Sequence, residues 1–174
     1  ALGRINAWWF AYYLALDRPV FGGGFQVFHP DLFLRYAPSP EDFHDAHSIY
    51  FEVMAEQGFV GLAIFLTLGF LVFRECGRIA RLDLGDENRW IGQLAQLLQF
   101  SFVAYAATGA FLGLAYFNLY YQLIALIVLV RIQANKIIAA QAAEESFNES
   151  TEPIRDTIPD NLDAGHNPAK QDGS

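Results

Sequence analysis

Two histidines, His44 and His47, stand three residues apart with Asp45 between them in HDAHSIYFEVMAEQGFVG (residues 44–61), at the edge of a long apolar run. An imidazole near neutral pH can take the proton of an attacking hydroxyl, so a general base is the first chemistry to consider. Helix-start signals surround His47: Pro40 lies upstream, Asp45 stands where an N-cap could sit, and Ser48, Ile49 and Tyr50 open a helical pattern. The positive end of that helix favours a neutral imidazole, whereas Glu41, Asp42 and Asp45 push the other way, and the sequence leaves the balance open. The two histidines could share a metal on one helical face, yet no third ligand is fixed by spacing and the pattern is not HExxH. The plainer alternative is a polar residue in the headgroup zone of a membrane.

Arg4, Arg18 and Arg35 are the basic residues before His47. A planar guanidinium suits a phosphate or diphosphate through paired hydrogen bonds. Taken singly, each could equally be a lipid contact or a surface ion pair, such as Arg18 with Asp17. Gly22–Gly24 is not a P-loop, because no Lys-Ser or Lys-Thr follows, and it reads as a sharp turn or a close backbone approach. Gly58 and Gly61 offer a small-residue face on which another helix could pack. Gln93, Gln96 and Gln99, with Tyr105 further along, form a polar side in an otherwise apolar stretch, which should face protein rather than lipid.

These residues need elements to hold them, and the composition points to a membrane. The chain of 174 residues is 53% hydrophobic and 16% aromatic with 17% charged residues. Its net charge of -8 sits mostly in the tail from Ala143 to Ser174, where eight acidic residues oppose Arg155 and Lys170. The single cysteine, Cys76, rules out an internal disulfide and a cysteine-built metal site. Three stretches are long and apolar enough to span a bilayer: about Glu56 to Phe73, with Ser48 to Gln57 extending it outward as one helix, about Trp90 to Phe111, and about Tyr116 to Val130. Gly109, Gly113 and Asn118 mark a tight turn between the last two.

Arg74, Arg78, Arg81 and Arg89 fall between the first two stretches, and Arg131 and Lys136 follow the third. The positive-inside rule then puts these flanks in the cytoplasm and His44 and His47 outside. Residues 1–47 form an external segment with an aromatic amphipathic helix (Ile5 to Leu16), whose Trp8, Trp9, Tyr12 and Tyr13 suit a membrane interface. Residues 48–131 form the three-helix transmembrane region. Residues 132–174 are read as a cytoplasmic, largely disordered acidic tail. The start at Ala1, without a leader, reads as the C-terminal part of a longer chain.

His47-Ser48, nine residues, Gly58, two residues and Gly61 reproduce the H-[NSQ]-x9-G-x-x-G pattern, and the chain resembles the O-antigen ligase and polymerase superfamily on that basis. GRINAWWFAYYLALDRPVFGGGF resembles the superfamily's Gly-Arg, Trp and Pro-x-x-Gly-x-Gly stretch, and AHSIYFEVMAEQGFVGL is most similar to O-glycosylation ligases encoded with bacterial exosortase systems. The similarity runs over about residues 3 to 130. It implies an all-α multi-pass inner-membrane bundle of the GT-C type, with the remaining N-terminal helices supplied by the rest of the protein. It implies an inverting, metal-independent glycosyltransferase that moves a glycan from an undecaprenyl-pyrophosphate carrier to a lipid or protein acceptor hydroxyl on the periplasmic face. It requires no cofactor, and its partners are membrane lipids rather than nucleic acid. It makes His47 the general base or acceptor-orienting group and Arg4 the grip on the donor diphosphate; beside that carry-over, Arg18, Arg35, His44 and Ser48 are read as candidate substrate contacts. A polysaccharide polymerase shares the motifs. A lipid-linked glycan transporter or a non-catalytic scaffold are the readings from other classes, and the gathering of titratable groups at the outer mouth favours the enzyme.

Overall fold

The computed structural model describes residues 2–113, 116 and 118–155, the last five as backbone only. Every element among the described residues is helical, as expected: α1 (Leu2–Asp17), α2 (Pro30–Tyr36), α3 (Ile49–Ile79), a 3-10 turn (Asp86–Asn88), α4 (Arg89–Gly109) and α5 (Asn118–Arg155). The chain divides into two compact units, Ala1–Ala134 and Asn135–Ser174.

In the first unit, α1 carries small and apolar residues at helical spacing, and stops at Asp17, just before the residue preceding Pro19. Its buried face, Ala7, Phe10, Ala11, Leu14 and Ala15, packs with Val27, with Phe33 of α2 and with Met54 and Ala55 of α3. Phe10 stacks on Phe33 with ring centroids 4.8 Å apart. Full burial of Phe10, Leu14 and Phe33 is worth about 2 kcal/mol each. The opposite face of α1 leaves Ile5, Trp9, Tyr12, Tyr13 and Leu16 exposed. The helix therefore has a protein face and an aromatic face rather than an apolar and a polar one. α2 is a short helix started by Pro30 and stopped before Pro38, with Asp31 and Arg35 placed to suit its dipole.

The single outward extension predicted for α3 is interrupted. Gly58 has φ 69 and ψ -170, a conformation almost restricted to glycine, and the helix breaks there into two segments. A broken helix frees carbonyls on one side and N–H groups on the other. The segment DRPVFGGGF takes up both sets. Gly23 and Gly24 donate to the Ala55 and Glu56 carbonyls at 2.8 and 3.0 Å, and Pro19 O accepts from Phe59 and Val60 at 2.9 and 3.4 Å. A Cβ on Gly22 would lie 2.5 Å from the Glu56 carbonyl carbon, and one on Gly58 would lie 2.5 Å from Pro19 O. The triple glycine thus makes the close backbone approach its sequence predicts. The partner of Gly58, however, is a loop carbonyl and not another helix. Gly61 is required for a related reason, since the break brings the side chain of Gln57 onto it, 2.3 Å from where its Cβ would stand.

α4 lies along the second segment of α3. Gln99 donates to Phe73 O at 3.2 Å, so it faces protein as its polarity demands, and Tyr105 is buried beside Tyr120 of α5. Gln93 and Gln96 are exposed instead, around a cavity of about 510 Å³ at the α3–α4 connection. Two helices among the described residues are long and apolar enough to cross a membrane, Ile49–Ile79 and Asn118–Ser150. α4, with 21 residues and three glutamines, is not one of them. Only 17% and 22% of the apolar windows of the two helices are buried, and Ile64, Phe70, Leu71, Leu126 and Leu129 are exposed. That low burial fits a lipid setting and not the core of a water-soluble bundle.

The described part of the second unit is the later portion of α5. Helix continues to Arg155, past Ala143, where the polar composition predicts disorder. The run NKIIAAQAAEES (residues 135–146) consists largely of good helix formers, which sustain a helix with little to bury. Residues 156–174 of the expected tail lie outside the described residues.

Candidate active site

The loop before α3 is built by α1. Asn6, buried and fully occupied, donates through Nδ2 to Ser39 O and Asp42 O at 2.7 and 3.0 Å and accepts the Ser39 N–H at 2.9 Å. One half-turn on, Trp8 donates its indole N–H to Ala46 O at 2.8 Å and stacks flat on Phe51, centroids 4.8 Å apart. Trp8 is thus a clamp inside the protein, whereas its neighbour Trp9 is exposed. Composition alone groups the two together.

The clamped residue Ala46 precedes His47, which takes φ 45, a left-handed conformation for a non-glycine residue that costs of order 1–3 kcal/mol. Ser48, in extended conformation, and not Asp45, is the N-cap residue of α3, and its carbonyl accepts the Glu52 N–H at 2.9 Å. His47 therefore sits one residue ahead of the N-cap, close to the positive end of the helix, as the sequence predicts. Asp45 has another use: its main-chain oxygen lies 2.9 Å from His47 Nδ1. A carbonyl can only accept, so Nδ1 carries the hydrogen, and a neutral ring held this way has its lone pair on Nε2. The ring is exposed and lines a cavity of about 450 Å³.

The cavity walls come from three parts of the chain: Gln26, Phe28 and His29 from the end of the glycine loop, Asp45 to His47 from the clamped loop, and Glu52 and Glu56 from the first segment of α3. Gly113, after α4, closes one side, and a Cβ there would lie 3.8 Å from His47 Cα. Glu56 is 6% exposed. Its Oε1 accepts the Gln26 N–H at 2.6 Å, and its buried Oε2 has no hydrogen-bond partner. Gln26 is the other non-glycine residue with positive φ, at 60. His29 caps α2 without a side-chain hydrogen bond and is exposed to the cavity. No group of three or more His, Cys, Asp or Glu among the described residues has the geometry to hold a metal ion.

The other predicted site residues are dispersed. Arg4 is exposed in the first turn of α1 and does not line the cavity. It shares an end of the molecule with His47, because its neighbour Gly3 lies against the His44 ring and Trp8, one turn on, holds Ala46. His44 pairs with Asp42, Nδ1 to Oδ1 at 3.0 Å, outside the cavity. Ser48 is 1% exposed and serves the helix start rather than a ligand. Arg18 lies at the far end of α1, and Arg35 stacks over Tyr36 with its carbon 5.1 Å from the ring centre. Asp17 accepts the Tyr36 hydroxyl at 2.5 Å, a bond that raises the tyrosine's pKa above its ordinary value.

Sequence reasoning missed His29, Glu52 and Glu56. One signal was available for the last two: acids four residues apart in an apolar stretch fall on one helical face, in line with Ser48 beside His47. Nothing in the spacing ties His29 to them.

Residues 1–66 match the family model described as O-antigen ligase. The matched stretch holds α1, the glycine loop, the clamped histidine and the break at Gly58, and so contains almost every wall of the cavity. No curated protein and no solved structure matches the chain.

Proposed function

We propose that this chain carries the acceptor-activating part of a membrane glycan ligase, which transfers a glycan from an undecaprenyl-pyrophosphate carrier to a hydroxyl on the periplasmic face. The observation that carries the reading is the His47 ring, held at Nδ1 by the Asp45 carbonyl and lining a cavity inside a stretch that resembles O-antigen ligases. In the scheme, the acceptor oxygen forms a bond to the anomeric carbon while the bond from that carbon to the diphosphate breaks. The acceptor proton passes to His47 Nε2, and the electron pair leaves with the lipid diphosphate. Attack opposite the leaving group inverts the anomeric centre, and no step needs a metal. Such a positioned base is worth about 10²–10⁴-fold in rate.

Charge grows on the departing diphosphate, and a cationic donor there lowers the barrier. Arg4, at the same end of the molecule and without an ion pair among the described residues, is assigned to it. In this reading α3, α4 and α5 cross the inner membrane, α4 shielded by helices from the rest of the protein. The basic end of α3 faces the cytoplasm, and the exosortase-type O-glycosylation ligases serve as the functional model.

The test is to give the complete protein, in proteoliposomes, a lipid-diphosphate glycan with lipid, protein and polymer acceptors and to identify the covalent product. Transfer that His47→Ala abolishes while donor binding persists supports the scheme. Undiminished transfer by His47→Ala rejects the base, and product on the growing polymer alone makes the enzyme a polymerase.

A further inference from the structure

The cavity beside His47 has a charge that bears on which substrate enters it. Among the described residues, its lining contains three carboxylate residues, Asp45, Glu52 and Glu56, and no arginine or lysine. Glu56 matters most, because it is more than nine-tenths buried and tied at Oε1 by the Gln26 N–H, while its buried Oε2 makes no hydrogen bond of good geometry and the carboxylate's other neighbour is the Tyr116 hydroxyl. A buried acceptor left unmatched is costly, and a low-dielectric wall transmits its field farther than water would. Among the described residues, the other titratable side chains on the lining are His29 and His47. Arg4, Arg18 and Arg35 lie off the cavity, so none of them compensates it.

We infer that this cavity is the acceptor subsite and that it takes a hydroxyl-bearing ligand without negative charge near the reacting hydroxyl, neutral or aminated, while rejecting phosphorylated acceptors. A diphosphate would meet carboxylates here with no arginine or lysine on the described lining, so the donor's diphosphate belongs outside the cavity. A neutral polyol supplies the hydrogen-bond donors that an acceptor-rich wall lacks. A chelated metal ion is a poorer occupant, since no three ligating side chains among the described residues converge. The role given to the bound hydroxyl rests on the ligase reading, but the charge preference is a property of the cavity alone.

The experiment measures binding and transfer separately. The full chain in nanodiscs is titrated with three glycosides of one sugar: unmodified, phosphorylated next to the acceptor hydroxyl, and aminated at that position. The unmodified and aminated compounds should bind at least tenfold more tightly than the phosphorylated one, and Glu56→Gln should narrow the gap. Glu52→Gln, at a half-buried position, provides the same reading if the Glu56 variant does not fold. Equal or tighter binding of the phosphorylated glycoside overturns the inference, whatever happens to transfer. With a lipid-diphosphate glycan also supplied, the stated preference without any transfer upholds the charge-selective cavity and rejects the ligase reading.

Discussion

The two ends of α3 solve the same problem in opposite ways. At the far end, Glu75 is paired with Arg78 at 2.7 Å and with Arg131 of α5 at 3.3 Å, and the helix runs regularly to Ile79. At the near end the helix is broken at Gly58, two non-glycine residues hold positive φ, and a buried carboxylate oxygen has no partner. The far end spends its polar groups on itself. The near end keeps strain and an unmatched acceptor around His47, and such features persist only where surrounding structure enforces them, which is typical of working sites.

The sharpest way to break this contrast is to alter one residue at each end and follow glycan transfer. His47→Ala should lower transfer by about 10²–10⁴-fold with the fold intact, as loss of a positioned base does. Glu75→Ala should leave the rate unchanged. Comparable losses from both would mean that the near end is no more functional than the far one.

Next in size is the break itself. Gly58→Ala forces a side chain into φ 69 and sets its Cβ 2.5 Å from Pro19 O. The expected cost is about 3 kcal/mol, at the upper limit of a strained backbone position. Thermal unfolding in detergent reads it directly. An unchanged midpoint would mean that α3 runs straight at this point and that the glycine loop does not cap it.

Much of the far end was legible in the sequence, and less of the near one. Apolar length and the placement of Arg74 to Arg89 outline α3, α4 and α5, and Gly109 and Gly113 bracket the turn after α4, because these signals are local. His47 at a helix mouth was legible for the same reason. The break at Gly58 was not, since helix formers flank it on both sides and the groups that replace its missing bonds come from residues 19–24. The cavity mixes residues 26 to 113, and spacing cannot reveal a neighbourhood that only folding creates.

Trp8 tests a smaller part of the contrast, the rigidity of the near end. Trp8→Phe keeps an aromatic ring for Phe51 but removes the 2.8 Å hydrogen bond to Ala46 O. Stability should fall by about 1 kcal/mol, the usual net worth of one such bond. Transfer should fall further, by about tenfold, because the next residue is His47 and misplacing a reacting group is costly. A stability loss with no change in rate would make Trp8 a packing residue only.

The smallest effect belongs to the far end. The Arg78 and Arg131 side chains are about half exposed, 48% and 55%, so solvent screens their attraction to Glu75. Glu75→Gln should cost no more than about 0.5 kcal/mol. The Arg78 bond holds the Glu75 side chain within its own helix, whereas Arg131 belongs to α5, so the residual loss should come mostly from the α3–α5 contact. A double-mutant cycle of Glu75→Gln with Arg131→Gln, read by thermal unfolding at low and high salt, isolates that share. A coupling well above 1 kcal/mol that survives high salt would show a buried, structure-determining pair and remove the distinction between a self-satisfied end and a working one.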